Sequence, residues 1–186
     1  MLIVFTGNGK GKTTAALGCA MRALGQGKRV LMIQFIKGDW ESGENKFVKH
    51  FMLHASCFRI IPAGKGFVNP IRNNISNGVK ISGDKIRFSV HKKAAEKALR
   101  LAKKEIKSKK WDLIILDEIN VAINLKLIKA DEVLKILKYA PKNIDIILTG
   151  RNAAEKFIKY ADLVTEMREI KHPFQKGQMA KKGIEF

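Results

Sequence analysis

Acidic residues are scarce in this chain: 17 Asp and Glu stand against 36 Lys and Arg in 186 residues, a formal net charge of +19. That imbalance draws polyanions, whether nucleic acid, nucleotides or anionic membrane surfaces, without choosing among them. Cysteine is nearly absent. The two present, Cys19 and Cys57, fall on segments read as interior and have no framework spacing, which excludes a disulfide-built secreted fold and fits a reducing cytosol. Both are expected to be buried spectators. No run approaches the roughly 18 apolar residues of a membrane span. Met1 leads straight into an apolar strand, so no cleavable leader is expected and the expected location is cytoplasmic. Apolar residues make up 46% of a length suited to one compact domain.

Within that frame the first residues carry the strongest signal. Leu2 to Phe5 reads as a buried strand, and Thr13 to Leu24 repeats Ala15, Ala16, Leu17, Ala20, Met21 and Leu24 at helical spacing. Between them lies Phe5-Thr6-Gly7-Asn8-Gly9-Lys10-Gly11-Lys12-Thr13-Thr14. A glycine-rich turn here leaves backbone N–H groups aimed at one point, and the helix that follows adds the positive end of its dipole. Lys12 supplies a point charge for outer phosphates, and the Thr13 hydroxyl can ligate a Mg2+ held against them. The common pattern G-x-x-x-x-G-K-[ST] would need glycine five residues before Gly11, where Thr6 stands, so the loop is a variant.

Further strands are read at Arg29 to Phe35, Cys57 to Ile61, Ile144 to Thr149 and Ala161 to Met167. Another, Trp111 to Leu116, ends in Asp117-Glu118, a place from which carboxylates reach a metal beside the phosphate loop. Helical spacing marks Phe47, Val48, Phe51 and Met52, and a capped amphipathic helix is read over Asp131 to Ala140. Nine basic residues between Lys92 and Lys110 lie opposite an apolar face of Ala95, Ala98, Leu99, Ala102 and Ile106. They read as the solvated side of a helix, since no aromatic residues interleave for base stacking. Pro62 to Ile86 reads as a long mobile loop, and Arg168 to Phe186 as a basic tail. Strands alternating with helices imply a parallel sheet covered on both faces, with ligands beyond the strand C-termini. The phosphate loop, the acidic pair and Thr149-Gly150-Arg151 all follow strands and so gather at one edge.

Together with these segments, Gln34-Phe35-Ile36-Lys37-Gly38, Trp40, Gly43-Glu44, Lys171-His172-Pro173-Phe174 and Gly183-Ile184 resemble, in the same order, the motifs of the P-loop-type ATP:corrinoid adenosyltransferases. The resemblance covers Leu2 to Phe186 and is weakest between Pro70 and Ile86. It implies a P-loop NTPase-like (RecA-like) α/β fold: a mostly parallel sheet of about six strands, helices on both faces, and one nucleotide-binding domain over residues 1–186. It also implies that the cobalt(I) of a reduced corrinoid attacks the 5′ carbon of ATP and displaces the triphosphate. On this chain Gly7, Asn8, Gly9, Lys10, Gly11, Lys12, Thr13 and Thr14 would hold the triphosphate, with Lys12, Thr13 and Glu118 as the catalytic set. Thr13 and Glu118 would hold Mg2+ or Mn2+ with Asp117 in support, while Arg22 would lie near the adenosine and Arg151 and Phe67 would contact substrate. An electron-donating reductase and a homodimer are expected, and neither a membrane nor a nucleic-acid partner is.

Two departures stand out. Many members carry an extension of about one helix before the first strand, which covers the corrinoid site. In addition, Gly66-Phe67-Val68-Asn69 keeps one aromatic of a pair and has Asn69 in place of the other. Trp40 and Phe174 are further candidates for the corrinoid wall, with core packing the stronger reading for Phe174, and His172 reads either as lying over the active site or as a surface imidazole. His50, His54 and Cys57 are set aside as a metal site for want of a fourth ligand. Two other readings share the loop and the acidic strand end: an ATP-hydrolysing motor or kinase, and a nucleotide-gated nucleic-acid binding module.

Overall fold

The computed structural model describes residues 1–38, 42–51, 56–66 and 86–184. Its frame is a sheet of six strands: β1 (Leu2–Thr6), β2 (Val30–Gln34), β3 (Phe58–Pro62), β4 (Leu113–Asp117), β5 (Asp145–Thr149) and β6 (Leu163–Glu166). They lie in the order β3-β2-β4-β5-β1-β6, and every pairing is parallel. β5 stands between the strand that feeds the glycine loop and the strand that ends in the acidic pair. The helices are α1 (Lys12–Gly25), α2 (Gly43–Phe51), α3 (Phe88–Lys107), α4 (Ile119–Asn124), α5 (Ala130–Lys138) and α6 (Glu155–Tyr160).

Alternation along the strands sorts the apolar residues into two cores. Ile3, Phe5, Val30, Met32, Leu113, Ile115 and Ile147 face Ala16 and Ala20 of α1. Leu2, Val4, Leu31, Ile33, Ile114, Leu116, Ile146 and Leu148 face the other way, onto α3, α4, α5 and α6. Both faces are therefore covered, and the central strands read as unbroken apolar runs because neither face meets water. Full burial of each such side chain contributes roughly 1.5–3 kcal/mol. The edge strand β6 differs, for Leu163 and Val164 remain exposed.

The nine basic residues of the Lys92 to Lys110 segment are all exposed, while His91, Ala95, Ala98, Leu99, Ala102 and Ile106 are buried, as the solvated-face reading requires. Three readings need correction. Asp131 does not cap α5: Lys129 holds the cap position without a side-chain bond, and Asp131 lies in the first turn, paired with Lys156. Cys19 and Cys57 are free but half-buried rather than buried. The residues after β6 are more than a tail, since they contain a short 3-10 turn, Pro173–Lys176, and return to the site. The long loop read over 62–86 falls mostly outside the described residues.

Candidate active site

Parallel pairing places every strand's C-terminal end on one edge, with Gln34 opposite Asp117 and Phe5 opposite Thr149. The phosphate loop leaves that edge from β1. Gly7 has φ 95° and Gly11, the cap of α1, has φ 103°, both in the left-handed region where a side chain is strained. Gly9 is required for a different reason. A Cβ there would sit 2.6 Å from the Arg168 carbonyl oxygen, because the loop packs directly on the chain leaving β6. Two backbone bonds fasten that contact, Met167 N–H to Thr6 O at 2.8 Å and Gly9 N–H to Met167 O at 2.7 Å.

Lys12 is buried at the start of α1, and its Nζ donates to Gly7 O at 2.8 Å and Gly9 O at 2.5 Å. Of an ammonium's three donors this leaves a third for an anion in the cradle. Burial lowers the Lys12 pKa, and Arg151 pushes the same way against Glu118 and Glu169. Next to it the Thr13 hydroxyl donates to Asp117 Oδ1 at 2.8 Å. The same oxygen accepts the Thr149 hydroxyl at 2.7 Å, and Thr149 Oγ1 in turn accepts the Glu118 N–H at 2.8 Å. Asp117 is fully buried; desolvation raises its pKa, and the two hydroxyls hold it down in part.

Glu118 caps α4 in a left-handed conformation, φ 59°. Its carboxyl is pushed up to about 7, first by burial and then by Asp117, with Lys12, Arg151 and Lys37 opposing. A third carboxylate stands nearby. Glu44 Oε1 accepts Gln34 Nε2 at 3.0 Å and pairs with Lys37; burial, the largest single influence, raises the Glu44 pKa, but the Lys37 bond and charge with hydrogen bonds from the backbone and Ser42 together leave it lowered. Gln34 also reaches Asp117 Oδ2 at 3.5 Å, so a polar chain runs from α2 to the phosphate loop.

These groups border a cavity of about 910 Å3 lined by Lys10, Thr13, Thr14, Leu17, Glu44, Glu118, Val121 and Arg151, with Ala180, Gly183 and Ile184 closing it from the C-terminal segment. The structure thus brings together Gly7, Gly9, Lys10, Gly11, Lys12, Thr13, Thr14, Asp117, Glu118 and Arg151; Asn8 is exposed on the loop. It does not bring Arg22 to the cavity. Arg22 is exposed in the last turn of α1, about 15 Å along the axis from Lys12 at 1.5 Å per residue. Phe67, Asn69 and Trp40 lie outside the described residues, as does the side chain of Phe174; His172 is half-buried. The roles of Gln34, Lys37, Glu44 and Thr149 are not readable from their own segments. Gln34 and Thr149 carry the local signal of a polar residue at the C-terminal end of an apolar strand, and all four lie in the segments that resemble the family's motifs.

The donor set fits Mg2+: a hydroxyl whose proton is directed to a carboxylate, with Glu118 beside it, supplies the hard oxygens that ion prefers, and substrate phosphates complete its shell.

Comparison with known proteins agrees with this geometry. The family model described as "ATP:corrinoid adenosyltransferase BtuR/CobO/CobP" matches residues 1–186. A corrinoid adenosyltransferase of Sinorhizobium sp is 37% identical over 188 residues, covering 100% of this chain and 80% of the relative. That of Escherichia coli K12 is 34% identical, covering 100% of this chain and 85% of the relative. Corrinoid adenosyltransferase CobA of Salmonella typhimurium is 32% identical, with the same two coverages of 100% and 85%. The chain belongs to the ATP:corrinoid adenosyltransferase family.

Proposed function

We propose that the protein transfers the 5′-deoxyadenosyl group of ATP to the cobalt(I) of a reduced corrinoid and releases inorganic triphosphate. The observation that carries this reading is the joining of an anion cradle to a large cavity walled in part by Leu17, Ile36, Val121 and Ile184. Such a site holds a polyphosphate at one end and leaves room for a bulky, partly apolar partner at the other.

The cobalt electron pair becomes the new cobalt–carbon bond, the bond from C5′ to oxygen breaks, and the triphosphate leaves with that bond's electrons. No protein nucleophile or base is consumed. The chain contributes alignment and stabilisation of charge developing on the leaving group. Lys12 and the loop N–H groups other than that of Gly9, which Met167 O holds, bind that charge from one side and Arg151 from the other. Thr13 and Glu118 would hold Mg2+, oriented by Asp117 and Thr149. When bound, Mg2+ supplies further neutralisation of the triphosphate oxygens. A reductase to deliver the electrons and a homodimer complete the proposal.

The test is the visible spectrum of chemically reduced corrinoid incubated with enzyme and ATP, together with the phosphorus product. A light-sensitive adenosylated corrinoid and inorganic triphosphate are expected. ATP hydrolysis is the second reading and rests on Glu118, a half-buried carboxyl beside the cradle whose pKa is pushed up to about 7, which suits a general base for water. ADP and orthophosphate without an adenosylated product would replace the first reading with the second.

A further inference from the structure

Arg151 sits on a turn whose backbone is held at every step. Gly150 has φ 121° and Asn152 φ 53°, so left-handed residues flank it on both sides. The turn begins at Thr149, whose hydroxyl bridges Asp117 and the Glu118 N–H, and ends at Ala153, whose N–H donates to Thr6 Oγ1 at 3.0 Å. Between these anchors the carbonyls face α4. Asn120 Nδ2 donates to Gly150 O at 3.3 Å. Asn124 Nδ2 lies 2.8 Å from Asn120 O, 2.9 Å from Arg151 O and 3.0 Å from Asn152 O. An amide has two N–H donors, so they are shared among three carbonyls, two of which belong to the turn. The approach is close enough that a Cβ on Gly150 would meet Asn120 Cβ and Val121 N at 3.1 Å.

We propose that Asn124, with Asn120, is a positioning residue for Arg151: the two asparagines of α4 bracket the 149–152 turn so that the guanidinium stands in the nucleotide cavity for the triphosphate. The inference rests on the function proposed above, since it takes the triphosphate as the group Arg151 serves. Successive turns of one short helix place Asn120 and Asn124 on the same face. That face is turned toward a loop that carries a charged group, and Arg151 lines the same cavity as Lys10, Thr13 and Glu118. A guanidinium offers two parallel donors to phosphate oxygens, so a small rotation of its backbone costs more than it would for a lysine.

A double-mutant cycle tests this. Binding of inorganic tripolyphosphate and of ATP, each with Mg2+, is measured by calorimetry on the full chain without corrinoid, with thermal melting of each variant. Arg151→Ala is expected to weaken both probes roughly tenfold or more, and Asn124→Ala about threefold to tenfold. The decisive measurement is Asn124→Ala in the Arg151→Ala background. No further weakening is expected there, because the residue acts through the missing guanidinium. Full additivity, or unchanged affinity in folded Asn124→Ala, overturns the proposal. If Asn124→Ala does not fold, Asn124→Asp, of the same size but unable to donate, takes its place in the cycle with the same two outcomes. Both probes bind without corrinoid, so failure of adenosyl transfer leaves this result standing, and an additive cycle in an active transferase sinks the bracket alone.

Discussion

Charge is concentrated in two regions of this molecule, and they use it in opposite ways. On α3 and just beyond it, nine basic residues from Lys92 to Lys110 stand in water above an apolar face, and only the face beneath them packs. At the C-terminal edge of the sheet fewer charges are present, but Lys12 and Asp117 are buried, and Glu118 is held at about 7 by burial and by its neighbour. Water screens the first group to near irrelevance for stability and chemistry. Withdrawal from water makes the second group act on one another and on a ligand. Net charge therefore points to α3, and burial points to the strand-end edge proposed as the site.

The comparison breaks most sharply at Lys12. Lys12→Ala removes the cation of the cradle and is expected to lower kcat for adenosyl transfer by about 10²–10³-fold; near-normal turnover would show that the edge is not the site.

Glu118→Gln comes next, with a rise on the order of 10-fold in the Mg2+ concentration for half-maximal rate, read by titration. The same variant has a signature in the nucleotide-free, metal-free protein. A carboxyl raised from 4.5 to about 7 favours the fold fully below the unfolded value and loses that contribution as pH rises through 7. Above pH 7 the glutamine variant is therefore expected to be the more stable by up to roughly 3 kcal/mol, with the gap closing toward pH 5, in denaturant titrations at each pH.

Thr149→Val leaves the Glu118 N–H and one Asp117 contact unmet. A loss of about 1–3 kcal/mol in unfolding free energy is expected, most of it restored by Thr149→Ser. The smallest effect belongs to the other region. Lys103→Glu with Lys107→Glu is expected to move stability by no more than about 0.5 kcal/mol and kcat not at all. A large loss of turnover there would give α3 a role in the reaction.

β1, β2, β4 and β5 were legible because a strand buried on both faces reads as an apolar run, while the outer strands β3 and β6 showed as shorter, more exposed apolar runs, and the edges of all six moved by only a residue or two. α4 and α6 were not, since six residues are too few to show a helical period. Lys12, Thr13, Asp117 and Glu118 could be named because a glycine loop and an acidic strand end each carry meaning locally. Gln34, Glu44 and Thr149 acquire theirs from neighbours brought in by strand pairing, which no local spacing reveals. Arg22 illustrates the converse: resemblance puts it near the adenosine, yet its own helix carries it away from this chain's cavity.

The packing of Gly7 and Gly9 on Met167 and Arg168 has a consequence for biosynthesis. The phosphate loop is made before its outer wall, and β1 sits between β5 and β6, both of which follow it in the chain. The cradle is therefore incomplete in a nascent polypeptide until β6 and the residues just after it have emerged. Acquisition of binding waits on that wall, and a chain stalled before residue 163 is expected to be inert toward nucleotide.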